Sequence, residues 1–256
     1  MKIEKIKKTG SKYKITLDSG EVINTFDDVI IENNLLFDKK IDSKLLEKIQ
    51  TDTNYYEVYN KVIRLIGVRF RSENEINEYL RKSKVDENDK IKIIDSLKRI
   101  GLINDYNFAR AYTNDKMNLS LDGPYKIARE LESHKIETSI INEMIESYPV
   151  ELIDSHIEKI ILKKLKSNKK YTGYILKQRI ISYLVNQGYS KEDINRHLDL
   201  IVSSQKDLEN EMEKIYKKLS SKYSSDELFY KLKNKLYSKG FEISEIDKFI
   251  DEKTVH

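Results

Sequence analysis

One spacing constrains this chain more than any other feature. Four segments, INEYLRKSKV (76–85), IARELESHKI (127–136), IISYLVNQGY (180–189) and LKNKLYSKGF (232–241), share an apolar pattern. Each has an aliphatic residue, a leucine four positions later and a further apolar residue five beyond that. The closing members Val85, Ile136, Tyr189 and Phe241 stand 51, 53 and 52 residues apart. Nine positions further on lie Ile94, Ile145, Leu198 and Ile250, again all apolar. A period of this length marks a repeat architecture in which each unit is one small supersecondary structure.

The physics of a unit follows from that spacing. Aliphatic residues four apart share one face of a helix. The third apolar residue falls just past the helix end, where a left-handed residue reverses the chain and packs it back. Gly188 and Gly240 suit that position, whereas Lys84 and Lys135 occupy it in the first two units and predict differently shaped or strained turns. Helix starts are predicted by capping boxes at Ser72–Glu75 and Ser224–Glu227 and by N-caps at Asp86, Asp105, Ser190 and Ser244. Each period leaves room for a third helix. The reading is four three-helix repeats, 54–103, 104–149, 150–204 and 205–256, which contact mainly their neighbours in an elongated curved array. At the seam between the first two, Leu97, Ile100, Leu102 and Ile103 close one unit around Gly101. Phe108, Ala109 and Tyr112 supply the inner face of the next.

The first 53 residues differ. KIEKIKK, KYKITLD and EVINTF alternate apolar and polar residues and are separated by TGS and DSG, which are turn chemistry. Tyr13, Ile15 and Leu17 fall on one face of the middle segment. A small antiparallel β module is predicted, followed by helices near Asp27–Asn34 and Ser43–Gln50. The fold class is therefore mainly α, with this β module at the N-terminus.

Catalytic chemistry is hard to place on the chain. It has no cysteine, and His134, His156, His197 and His256 are far apart with no metal-ligand spacing. GPYKIAR opens a helix but is not a phosphate loop. No segment approaches a membrane span or a signal peptide, so a cytoplasmic protein that is not an enzyme is expected. Charge is more informative. From Glu158 to Arg179 eight basic residues meet one acid, a local net of +7 in a chain whose overall net charge is +4. Lys163, Lys164 and Lys166 interrupt Ile160, Ile161, Leu162 and Leu165, giving a helix with a core stripe and a lysine-rich exterior. Such a face attracts polyanions, and it also serves solubility. Tyr171 and Tyr174 beside it are candidate stacking platforms for single-stranded bases, or core-edge tyrosines with hydrated hydroxyls.

FRSENEINEYL (70–80), GLINDYNFARAY (101–112) and GPYKIARELESHKI (123–136) resemble, in order and spacing, the conserved stretches of the RecX family of recombination regulators. FDDVIIENNL (26–35), after the β segments, is similar to the N-terminal extension of RecX proteins from low-GC Gram-positive bacteria. Lys84 and Lys135 stand where the family commonly has glycine. The resemblance implies tandem three-helix repeats, no catalytic residues and no cofactor. It also implies a monomer that binds the RecA recombinase filament and typically inhibits its strand exchange, ATP hydrolysis and extension. Single- or double-stranded DNA is a further expected partner through its phosphates. Arg71, Ser72 and Glu73 match the family's Arg-Ser-Glu element, and Gly123, Pro124, Arg129 and Leu131 its Gly-Pro helix start. Arg69, Arg71, Lys126 and Arg129 are the expected exposed contacts. Lys163, Lys164, Lys166, Lys169, Lys170, Lys177 and Arg179 form the expected basic surface. The alternatives are a direct DNA binder built of helix-turn-helix-like units, or a helical scaffold for another protein.

Overall fold

A computed structural model of the chain describes residues 1–83, 85–168, 171–201 and 205–254. Lys84, Lys169, Lys170 and His256 therefore lie outside the described residues. The chain forms a small three-stranded sheet followed by helices only, and it divides into two compact units. Met1–Ala111 with His134–Ile136 makes one; Tyr112–Ser133 with Glu137–His256 makes the other.

In the first unit, strands β1 (Ile3–Thr9), β2 (Lys12–Leu17) and β3 (Val22–Thr25) pair antiparallel in that order. Ile15 lies opposite Ile6 on one side and Ile23 on the other. The alternation in β2 turns Ile15 and Leu17 into the core, where Phe26, Val29, Ile30 and Ile49 cover the sheet face. Val29 and Ile30 belong to α1 (Asp27–Glu32), and Ile49 to α2 (Ser43–Val68). The helix expected at Ser43–Gln50 does not stop there. No glycine or proline interrupts the residues from 51 to 66, and α2 runs for 26 residues. Its first half covers the sheet, while Val58 and Val62 pack with α3 (Glu73–Arg81) and α4 (Glu87–Arg99). The repeat positions Ile76, Leu80 and Val85 are all buried in that second core.

α5 (Asp105–Leu119) spans the boundary between the units, and the turn 134–136 belongs to the first. Phe108 is buried there, edge-on to His134 with ring centroids 5.0 Å apart. Of the four apolar residues expected to close the first repeat, Leu97 and Ile103 are buried, but Ile100 and Leu102 are exposed. Gly101, at φ +74°, makes the reversal in fewer residues than the apolar run suggests.

The second unit contains α6 (Pro124–Ser133), α7 (Thr138–Glu146), α8 (Val150–Ser167), α9 (Gly173–Asn186), α10 (Lys191–Asn195) and a 3₁₀ turn at Leu198–Ile201. It continues with α11 (Gln205–Ser220), α12 (Ser225–Lys239) and α13 (Ile243–Thr254). The triplets Ile180–Leu184–Tyr189 and Leu232–Leu236–Phe241 are buried, like Ile127 and Leu131. The apolar residues nine positions later are only half-buried at Ile145, Leu198 and Ile250. There the last helix turns its neighbouring positions inward, and Met144, Ile194, Ile246 and Phe249 take over the core. Leu162, predicted for the core stripe of α8, is exposed, while Ile160 and Ile161 are buried.

Caps divide similarly. Ser72, Asp86 and Ser190 accept the predicted backbone bonds from Glu75, Asp89 and Asp193. Ser224 is the N-cap of α12, but its hydroxyl makes no cap bond. Ser244 lies inside α13, where Glu245 instead reaches back to the Glu242 amide at 3.1 Å. At α5 the cap is Asn104, whose Oδ1 accepts from the Asn107 amide at 2.9 Å, so Asp105 is released for another task. No helix among the described residues is long and apolar enough to cross a membrane.

Candidate partner-binding surface

The expected contact residues sort by what already holds them. Arg69 forks onto Glu75, with guanidinium nitrogens 2.6 and 3.0 Å from the two carboxylate oxygens, and Arg71 adds a third bond at 3.2 Å. The same carboxylate accepts the Ser72 amide at 3.3 Å and completes the capping box of α3. Burial pushes the Glu75 carboxyl up, but the Arg69 bonds and charge, the Ser72 amide and Arg71 outweigh it and hold it below its ordinary value. Arg71 is largely covered rather than exposed. The Glu73 amide donates to Asp105 at 2.8 Å, and its carboxylate accepts from Lys98 at 2.9 Å. The Arg-Ser-Glu element is thus a helix start stitched to its surroundings.

Lys126 and Arg129 are tied down in another way. Lys126 pairs with Asp122 at 2.5 Å and reaches the Gln187 side chain at 3.4 Å; Arg129 donates to the Asn186 carbonyl at 3.4 Å. Burial raises the Asp122 carboxyl, and Lys126 followed by Lys116 brings it below its ordinary value. These bonds flank a main-chain joint. The Gly123 amide donates to the Gln187 carbonyl at 2.7 Å, and the Tyr125 amide to the Gly188 carbonyl at 3.1 Å. The start of α6 therefore meets the end of α9, amides against carbonyls, with helix dipoles head to tail. The arrangement recurs 49–52 residues on: Thr172 donates to Lys239 at 2.8 Å and Tyr174 to Gly240 at 3.2 Å. Gly188 and Gly240, at φ +92° and +102°, make both joints possible. In the first unit the corresponding left-handed residue is Lys135, at φ +59°. There the acceptor at the start of α3 is the Asp105 carboxylate rather than a carbonyl.

The basic residues of α8 and α9 behave differently. Among the described residues, none of Lys163, Lys164, Lys166, Lys177 and Arg179 is ion-paired with a carboxylate. Two of them lie on aromatic rings: Lys164 Nζ is 3.5 Å from the Tyr183 centroid, and Arg179 Cζ is 4.4 Å from that of Tyr171. Tyr183 escaped the sequence reading, although its position four residues after Arg179 on one helix was a usable signal. Tyr174 is exposed. His156 and His197 are engaged elsewhere. His156 is buried against the Tyr148 hydroxyl at 3.3 Å, and His197 bonds Asp154 at 2.9 Å.

Comparison with known proteins is consistent with this arrangement. Residues 104–145 match the second three-helix domain of RecX, and residues 153–198 match the third. The regulatory protein RecX of Oceanobacillus iheyensis is 30% identical over 264 residues, covering 96% of this chain and 94% of that protein. The RecX of Streptococcus pneumoniae (strain Hungary19A-6) is 30% identical over 252 residues, covering 96% and 97%. Among solved structures, a regulatory protein RecX shares the fold with a TM-score of 0.63 at 23% identity, covering 76% of this chain and 97% of that one. The RecX structure from Lactobacillus salivarius aligns with a TM-score of 0.50 at 25% identity, covering 58% and 98%. With relatives aligned from end to end and both family domains falling on the helices just described, this chain belongs to the RecX family.

Proposed function

We propose that this RecX-family regulator acts without catalysis, by binding the RecA filament on DNA and inhibiting its strand exchange, ATP hydrolysis and extension. The observation that supports this reading is the division among its cations. Arg69, Arg71 and Lys126 are committed to internal carboxylates, and Arg129 to a backbone carbonyl. Lys163, Lys164, Lys166, Lys177 and Arg179 are left for an external polyanion, and DNA phosphates are the partner that a filament offers. Arg69, Lys126 and Arg129 keep partly exposed side chains, yet their first role is to hold the helix starts.

Strand exchange and single-stranded-DNA-dependent ATPase of purified RecA test the reading. Adding this chain at substoichiometric to equimolar ratios is expected to depress both; leaving both unchanged refutes it. Replacing these five cations of α8 and α9 by Glu is expected to abolish DNA retention while sparing binding to DNA-free RecA. Engagement of all five gives a slope of log K against log salt of up to about −3.5 on a single strand. The alternative, a direct DNA binder, predicts salt-dependent DNA binding with RecA activities unaffected in a DNA excess.

A further inference from the structure

Two cations of α8 and α9, Lys164 and Arg179, line a cleft of about 370 Å³. Its walls are Lys164, Asn168, Tyr171, Arg179 and Tyr183, over a floor that includes the buried Ile180. The volume falls at the lower end of the range of about 300–1,000 Å³ typical of small-ligand sites. Asn168 fixes one wall: its Oδ1 accepts the Tyr171 amide at 3.1 Å, and its Nδ2 donates to the Tyr171 carbonyl at 2.6 Å. Tyr171 is thereby set as a ring on which the Arg179 guanidinium lies at 4.4 Å. Arg179 is exposed. Lys164, also in the lining, is held over Tyr183 at 3.5 Å. No carboxylate among the described residues pairs with either cation.

We propose that this cleft receives one unpaired nucleobase of a single DNA strand, stacked on the guanidinium plane of Arg179, with Lys164 beside the flanking phosphate. A planar cation backed by an aromatic ring is a stacking surface that accepts any base, because every base has a π face. A base in a duplex has both faces covered by its neighbours and cannot enter, so the site favours single strands over duplexes of equal charge. The idea rests on the reading that the α8–α9 face meets DNA, and deepens it from phosphate attraction to discrimination between strand states. Lys163, Lys166 and Lys177, on the same two helices, supply the sequence-independent attraction.

The test separates base from phosphate. The full chain is titrated, by fluorescence anisotropy, into a labelled 15-nucleotide oligo(dT), a strand of the same length built entirely of abasic sites, and a duplex. Oligo(dT) is expected to bind about 5- to 150-fold tighter than the abasic strand, the range for one stacked base. Arg179→Lys, which keeps the charge but loses the plane, and Tyr171→Leu are expected to erase that preference, while Tyr171→Phe retains it. Circular dichroism melting establishes that each variant is folded. Equal binding of oligo(dT) and abasic strand by the unaltered chain overturns the base site, yet leaves the phosphate face and the RecA reading intact. A folded Tyr171→Leu protein that keeps the full preference overturns it as well. A base preference that survives while RecA activities are unaffected supports the site and refutes the regulatory reading.

Discussion

Replacing Gly188 by alanine places a methyl group at φ +92°, against the backbone nitrogen of Lys126 and 2.6 Å from its Cβ. Two effects follow. The left-handed conformation costs an L-residue about 1–2 kcal/mol. The methyl also displaces α6 from α9, breaking the bonds from Gly123 to Gln187 and from Tyr125 to Gly188, each with a net contribution of about 0.5–1.5 kcal/mol. The expected loss is about 2–5 kcal/mol. Gly101 provides the control, because it too has a positive φ, but a Cβ there meets no atom within 4 Å. Gly101→Ala should therefore show the conformational term alone, about 1–2 kcal/mol. Urea unfolding followed by far-ultraviolet circular dichroism measures both, each fitted on its own transition if the two units unfold separately. Amide exchange localises the effect: protection should fall at Gly123 and Tyr125 in the Gly188→Ala protein and persist at Thr172 and Tyr174. If Gly188→Ala were no more damaging than Gly101→Ala, with the Gly123 and Tyr125 amides still protected, the joint would not depend on backbone proximity and the reasoning would fail.

Phe108→Ala should destabilise the first unit by about 3–5 kcal/mol, since the ring is buried against His134; a fully stable variant would show that the ring is dispensable to the core. Ser72→Ala should remove about 0.5–2 kcal/mol through loss of the α3 cap, read as a lower urea midpoint with unchanged slope. Lys135→Gly should raise stability by up to about 1 kcal/mol, because it relieves a left-handed lysine at some cost in chain entropy. Burial, followed by the charge of Lys159, lowers the pKa of His156 below its unfolded value. Its neutral form is thus favoured in the fold, and its contribution is present above about pH 6.5 and is lost as pH falls toward the folded pKa. The loss is at most about 1.4 kcal/mol per pH unit, and it should be absent in His156→Phe.

The sequence made the repeats legible because their signal is local. Residues four apart on one helix and one apolar residue past its end need no partner elsewhere to declare themselves, and these positions are buried in all four segments. The extent of α2 was not legible, because its two halves serve different cores and no residue between them breaks a helix. Asp105 was misread for a related reason. A carboxylate at a helix start is normally read as that helix's own cap, and only the fold shows Asn104 in that role and Asp105 bonded to an amide 32 residues earlier. The candidate surface was legible as charge but not as availability. Arg69, Arg71, Lys126 and Lys163 differ in having or lacking Glu75 or Asp122 four to six residues away, a local spacing that could have been read in the sequence and was not.

That difference follows from how the joints are made. Two of them, α6 on α9 and α9 on α12, are closed by main-chain amides and carbonyls, so they need glycines at 123, 173, 188 and 240, where a Cβ would meet the facing backbone within 3 Å. Such a joint survives extensive substitution, in keeping with relatives that align along their whole length at 30% identity. The first joint uses side chains instead. Its left-handed residue carries a Cβ, Asp105 supplies the acceptor, and Arg69, Arg71 and Glu75 brace the helix start. Burial holds the Asp105 carboxyl above its ordinary value, although the Glu73 amide it accepts opposes that shift. Arg69 and Arg71 are thus consumed by architecture, whereas Lys163, Lys164, Lys166, Lys177 and Arg179 pair with no carboxylate among the described residues. Asp105→Ala should therefore weaken the first unit by about 1 kcal/mol, the cost of losing the bond to a part-buried amide, while DNA retention by the α8–α9 face is unchanged. Loss of DNA retention in an Asp105→Ala protein whose second unit is still folded would break this separation between the residues that hold the repeats and those that meet the partner.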